Sequence, residues 1–270
     1  ISNDDRYIII FNGEIYNYIE IKKKLQKYNF KTNSDTELIL YAYIEYGEKC
    51  LNLFDGIFSF VIYDKLKSNL FCARDSFGVK PFYYYIDKNL FFFSSEIKTF
   101  FLFNNIEKKI NLRAVSSYLS SEYYENTSTT FYKNIKKLKS GSFAKISNNI
   151  YKEQKYFNFK KLLNTVSLPK KQSEREENLK YLIYEAIKKS LVSDVNIGLS
   201  SSGGLDSSIL QYVVSKVYHK KVTASNFYFD DKNYSERQFA KSISDFTSSK
   251  IKGVKITDKT FRNSFKNSVK

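Results

Sequence analysis

The sequence predicts an α+β block over residues 1–157, a linker over 158–172, and an α/β block over 173–270. Three observations predict this. Short apolar strands broken by turn signals fill the first block, while strands alternate with longer helices in the second. Between them lies a polar stretch containing Pro169, which fixes one backbone angle and discourages helix before it. A chain of 270 residues is long enough for two modest cores.

In the first block, residues 6–11, 57–63, 70–74, 82–86, 90–94 and 150–157 read as strands. The runs at 57–63 and 90–93 are continuously apolar, which predicts strands buried on both faces or sandwiched between layers. After residue 57 the strands read as a largely antiparallel meander. Helices are predicted at 15–28 and 36–46, the second opened by Ser34, Asp35 and Glu37 in a capping-box arrangement. The second block reads as helix 173–190, strand 195–200, helix 207–218, strand 221–228, helix 235–245, strand 249–254 and a last helical stretch. Such alternation is that of βαβ units with a parallel sheet. No internal repeat is visible.

Hydrophobic residues at 42% and charged residues at 27% describe a globular chain rather than a disordered, collagenous or membrane protein. No apolar run is long enough to span a bilayer, no signal segment opens the chain, and no membrane association is expected. Two cysteines, Cys50 and Cys72, cannot make a disulfide scaffold, so a reducing, cytoplasmic setting is expected. The net charge of +16 invites a nucleic-acid reading. Its lysines, however, are scattered through every element, and no nucleic-acid partner is expected. The single histidine, His219, falls at a helix end where a cation complements the dipole. Nothing resembles a zinc or iron site. The chain opens on Ile1 without any Met and reads as a fragment.

The stretch Ser202-Gly203-Gly204-Leu205-Asp206-Ser207-Ser208 lies between a strand and a helix. Small residues let the backbone approach a ligand, and the helix start offers free N–H groups and a positive dipole end. Asp206 suits a Mg²⁺ that bridges phosphate oxygens, since a carboxylate repels phosphate directly. No Gly-Lys-Ser/Thr follows, so this is not a Walker A loop. The plain alternative is a Ser/Gly turn capped by Asp206 or Ser207. Position at the carboxyl end of a parallel strand favours a nucleotide-phosphate loop.

Residues 202–208 resemble the pyrophosphate-binding loop of the PP-loop ATP pyrophosphatases. Residues 193–198 before it, and Tyr234-Ser235-Glu236 after it, are similar to segments of the glutamine-dependent asparagine synthetases. Asn196 departs from that family's usual proline, and Ser200 and Ser201 from its bulky apolar residues. The first block resembles the same family independently. Phe11-Asn12-Gly13-Glu14-Ile15-Tyr16-Asn17, Ser34-Asp35-Thr36-Glu37, Phe54-Asp55-Gly56-Ile57-Phe58-Ser59-Phe60, Ala73-Arg74-Asp75, Gly78-Val79-Lys80-Pro81 and Ser95-Glu96-Ile97-Lys98 follow in the order of a class II glutamine amidotransferase domain. The resemblance covers nearly the whole chain.

It implies an Ntn-hydrolase-like αββα sandwich, then a Rossmann-like PP-loop sheet, each incomplete. It implies that the Asn12 side chain and the Gly13 N–H form an oxyanion hole, needed where amide cleavage passes through a tetrahedral intermediate. Glu14 and Asp35 are placed against glutamine's α-ammonium. Ser201, Ser202, Gly203, Gly204, Leu205, Asp206, Ser207, Ser208 and Phe227 are placed at ATP, with Asp206 on Mg²⁺. The family's nucleophile is an N-terminal cysteine preceding the sequence given, and an arginine clamp for glutamine's carboxylate also lies upstream. Cys50 and Cys72 are not expected to substitute, so the chain as it stands should be inactive as a glutaminase.

The implied reaction is ATP-dependent amidation of aspartate through β-aspartyl-AMP with ammonia from glutamine. The implied partners are glutamine, aspartate and ATP, and a homodimer is the candidate assembly. Two other readings stand beside it: amidation of a uronic acid or other carboxylate for polysaccharide or peptide assembly, and a non-catalytic ligand-binding remnant.

Overall fold

The computed structural model describes residues 1–87, 90–121, 127–148, 150–193, 195–231 and 235–269. It divides into two compact units, Ile1–Ser167 and Leu168–Lys270.

In the first unit a five-stranded antiparallel sheet has the order β1 (Tyr7–Ile15), β2 (Gly56–Asp64), β3 (Asn69–Arg74), β7 (Ser142–Ser147), β8 (Ile150–Lys155). A second sheet has β4 (Tyr83–Ile86) at its centre, between β5 (Phe91–Ser94) and β6 (Lys136–Lys137). Side-chain alternation explains the layering. Phe58, Phe60 and Ile62 of β2 and Phe71 and Ala73 of β3 face α2 (Asp35–Tyr46), packing on Leu38, Ile39 and Ala42. Val61 and Cys72 face the other way, against Tyr84 of the second sheet and Phe82 just before it. The far side of that sheet is covered by a 3₁₀ segment, Ile97–Leu102, through Phe100. The order is helix, sheet, sheet, 3₁₀ segment. β2 is buried on both faces, as its apolar run predicts.

Several sequence expectations change here. β1 continues past residue 11 to Ile15, so the helix expected from residue 15 shrinks to α1 (Tyr18–Lys24). Two glycines allow the extension. A Cβ on Gly13 would lie 2.2 Å from the Ile57 carbonyl oxygen, and one on Gly56 would lie 2.1 Å from that of Glu14. The meander breaks after β3, because β3 pairs with β7 and the chain passes to the second sheet at β4. β7 was not among the predicted strands: Lys145 interrupts its apolar run, and sheet context outweighs its weak propensity. α3 (Leu112–Ser121) was likewise not predicted, and the linker contains α4 (Phe159–Leu163), capped by the Asn158 side chain.

The second unit holds a parallel sheet of order β11 (Lys250–Lys255), β10 (Thr223–Tyr228), β9 (Gly198–Ser200). Helices α5 (Gln172–Ser190), α6 (Leu205–Tyr212), α7 (Arg237–Thr247) and α8 (Asp258–Val269) accompany it, and a π-helical turn, Val213–Val217, follows α6. Its apolar core is small, built on Ile187, Val213, Val214 and Val222. β9 is shorter than the predicted 195–200, and its Ser200 is exposed. α6 begins two residues before the predicted start, so Asp206, Ser207 and Ser208 lie in its first turn. Asp194 and Tyr234, both used in the family resemblance, fall outside the described residues. No helix among the described residues is long and apolar enough to cross a membrane.

Candidate amide and phosphate sites

The amide site is built on the end of β1. Phe58 turns its carbonyl to the Asp75 N–H (2.8 Å) and its N–H to Asp75 Oδ2 (3.2 Å). Gly13, opposite Phe58 in the β1–β2 register, therefore occupies a non-hydrogen-bonded pair. Its N–H faces the outer edge of β1. Ile15, two residues on, has its N–H on that same edge, and Asp35 Oδ2 accepts it at 3.1 Å. Gly13 has φ +154°, a conformation that a side chain resists.

Asn12 and Glu14 lie on the opposite side of the strand from Phe11 and Ile15, which pack against the α2 core. Asn12 lines a cavity of about 400 Å³ together with Ser59, Pro81, Phe82, Phe92 and Ser94. Glu14 and Asp35 do not line it. Glu14 lies two residues further along β1, about 7 Å from Asn12, and Asp35 opens α2 beside the Ile15 N–H. Four candidate residues thus gather at one strand end, with Asn12 at the cavity and the two acids beyond it.

The surroundings are fixed by bonds between segments far apart in sequence. Asn17 donates to the Leu53 carbonyl (2.9 Å) and accepts from the Asp55 N–H (3.0 Å), stapling the end of β1 to the approach to β2. Ser34 caps α2 by accepting from Thr36 (3.1 Å). Glu37 does not complete a capping box. It takes the N–H groups of Lys31 (2.8 Å) and Thr32 (2.7 Å) and so holds the loop before α2. Burial pushes the Glu37 carboxyl up, but the Thr32 and Lys31 hydrogen bonds prevail and hold it below its ordinary range.

Sequence reasoning gave no role to Asp75 or Arg74. Asp75 is 1% exposed and accepts from Phe58, Phe77, Val79 and Lys80 N–H groups. Arg74 donates to the carbonyls of Gly78, Lys80 and Leu138. One side chain collects the N–H groups of the 76–80 loop and its neighbour the carbonyls. Ser59 then donates to the Pro81 carbonyl (3.0 Å), carrying this loop to the cavity wall. Tyr16 was likewise unassigned. Burial, then the charges of Glu14, Asp55 and Asp75, raise its hydroxyl above the ordinary range, marking a locally negative field. Cys50 and Cys72 are fully buried, and burial pushes both thiols far up, so neither is a nucleophile.

The candidate phosphate loop, residues 202–208, leaves β9 at its carboxyl end. Gly203 adopts φ +86°, and a Cβ there would lie 2.4 Å from the Ala240 nitrogen of α7. Gly204 is the N-cap of α6, so neither Asp206 nor Ser207 caps the helix. The loop's own hydroxyls accept its amides: Gly203 N–H donates to Ser207 Oγ (3.2 Å) and Gly204 N–H to Ser202 Oγ (3.2 Å). Each of these amides is thus held by a separate hydroxyl oxygen of the loop. Asp206 is exposed in the first helical turn. No cluster of three His, Cys, Asp or Glu side chains able to hold a metal occurs among the described residues. A lone exposed carboxylate fits a Mg²⁺ shared with phosphate oxygens, not an all-protein cage. Phe227, 61% exposed on β10, lies on the opposite sheet face from Asn226. His219 is exposed with φ +51° after the π-helical turn.

Residues 1–157 match the family model described as a glutamine amidotransferase domain, and residues 178–269 match that described as asparagine synthase. A Methanocaldococcus jannaschii protein, named provisionally as glutamine-hydrolysing asparagine synthetase 2, is 38% identical over 242 residues, 88% of this chain and 46% of its own. Glutamine-hydrolysing asparagine synthetases 3 and 1 of Bacillus subtilis are 33% and 35% identical, covering 80% and 88% of this chain and 35% and 37% of their own. The chain thus spans less than half the length of these relatives. Among solved structures, the glutamine phosphoribosylpyrophosphate amidotransferase of B. subtilis, complexed with ADP and GMP, aligns with TM-score 0.44 and 12% identity, over 93% of this chain and 71% of that one. A glutamine amidotransferase domain followed in one chain by an asparagine synthase segment defines the glutamine-dependent asparagine synthetase family, and this chain belongs to it.

Proposed function

We propose that this chain is part of a ligase that takes nitrogen from glutamine and transfers it to a carboxylate activated by ATP, with aspartate as the acceptor. Residues 1–157 form the amidotransferase domain, with an Ntn-hydrolase-like fold; 158–172 form the linker, and 173–270 belong to the ATP-binding domain. The observation that supports this most is the edge of β1, where the Gly13 N–H and the Asp35-bound Ile15 N–H face one side. Asn12 and Gly13 are adjacent in the chain, so a side-chain amide and a backbone N–H can converge on one oxyanion. Glu14, further along the strand, and Asp35, at the start of α2 beside Ile15, offer negative charge to the α-ammonium. The negative field at Tyr16 suits the same cation.

In the second unit, Ser202 to Ser208 hold the pyrophosphate portion of ATP, and ligand oxygens displace Ser202 and Ser207 as acceptors for Gly203 and Gly204. Asp206 holds Mg²⁺, which when bound offsets phosphate charge. Phe227 completes the nucleotide site, and Ser201, buried beneath the loop, supports it rather than touching the ligand. A carboxylate is a poor electrophile, and its adenylate carries AMP as a good leaving group when ammonia attacks. Two buried free thiols agree with a cytoplasmic setting, and a homodimer is the assembly this reading carries.

ATP–pyrophosphate exchange in the full-length protein tests the reading. Exchange should require aspartate and be lost in Asp206→Ala, with glutamine hydrolysis retained. Exchange driven by a uronic acid instead transfers the acceptor to polysaccharide chemistry, and no exchange with any carboxylate leaves a ligand-binding remnant.

A further inference from the structure

Ser201, the last residue before the phosphate loop, has every polar group engaged in the interior. Its N–H donates to the Ser225 carbonyl (2.8 Å). Its carbonyl accepts from Asn226 Nδ2 (2.9 Å), and its hydroxyl donates to Gln211 Oε1 (2.9 Å). Gln211 is fully buried and turns Nε2 to Ser244 Oγ (3.0 Å) and Thr247 Oγ1 (3.1 Å). Ser249 joins Thr247 (2.9 Å), and Ser215 joins Ser249 (3.0 Å). One polar chain therefore runs from the phosphate loop through α6 and α7.

Burying so many polar groups costs desolvation that an apolar side chain at 201 would avoid. Hydrogen bonds add direction, which apolar packing lacks. Held at N–H, carbonyl and hydroxyl, Ser201 fixes the backbone that leads into the loop carrying the Gly203 and Gly204 amides. Asn226 is buried with Oδ1 unpartnered, so its own hydrogen bonding is incomplete. Its contribution is the bond to Ser201.

We infer that Gln211 and Asn226 are positioning residues for the phosphate loop, acting through Ser201. This rests on reading the loop as a nucleotide-phosphate site. Calorimetric titration of the chain with inorganic pyrophosphate and Mg²⁺, paired with amide hydrogen exchange, tests it. Gln211→Leu and Ser201→Ala should each weaken pyrophosphate binding about tenfold and speed exchange at Gly203 and Gly204, with β10 amides unchanged. Ser215→Ala, at the outer end of the polar chain, should bind as wild type, which separates positioning from general stability. Should Gln211→Leu fail to fold, Ser201→Ala decides. Wild-type affinity in both variants overturns the inference alone. Failure of the wild-type chain to bind pyrophosphate overturns the nucleotide reading and the inference with it.

Discussion

The two candidate sites are held in place by opposite means. In the first unit, the amide site rests on a strand edge backed by aromatic packing on both faces of β2. Its loops are gathered by single charged side chains, Asp75 and Arg74, through bonds to backbone groups. In the second unit the apolar core is small, and hydroxyls and amides do the holding around Ser201 and Gln211. The contrast teaches where rigidity comes from. Apolar layers set the place of a strand, while the aim of an individual N–H is set by hydrogen bonds.

Gly13→Ala should break the first site most severely. Its Cβ meets backbone 2.2 Å away, so β1 and β2 must part. A loss of roughly 3–4 kcal/mol of stability is expected, in the range of the most damaging substitutions, read as a lower urea midpoint for the first unit. An unchanged midpoint would mean that the strands tolerate separation. Asp75→Ala should come next, at about 3 kcal/mol, because four N–H groups, that of Phe58 buried, lose one shared buried acceptor. If instead the loss is negligible, water can replace the carboxylate and the loop is not organised by it.

The smallest effect is expected at Asp64, where Arg6 donates to the carboxylate at 2.7 Å. The hydrogen bond from Arg6, foremost, holds this carboxyl below its ordinary value. A depressed folded-state pKa gives stability that is present above the unfolded value and lost as pH falls through the folded one. Asp64→Asn should therefore lower stability modestly at neutral pH, leave strongly acidic pH little changed, and so flatten the acid side of the stability–pH curve. A steep acid loss in that variant would assign the effect to other carboxylates.

Much of the candidate site was legible in sequence because its chemistry lies in short contiguous segments. Asn12, Gly13 and Glu14 are consecutive, Asp35 begins a helix that Ser34 announces, and the phosphate loop follows a strand. What escaped depends on contacts distant along the chain. Asp75 and Arg74 organise a loop through partners as far away as Leu138, and β7 becomes a strand because β3 offers it an edge. Asn12-Gly13 suggests a turn in isolation, yet Gly56 across the ladder lets the strand run on to Ile15. Gln211 sits near the end of α6 with no local signal, and only packing against α7 reveals its bond to Ser201.

The most direct test of the account compares glutamine-dependent with ammonium-dependent synthesis in the full-length protein carrying Asp35→Ala. Loss of one charge-assisted contact to the α-ammonium should raise the glutamine KM at least about tenfold, with the ammonium-driven rate unchanged. Equal loss of both rates would contradict the placement of glutamine at the end of β1.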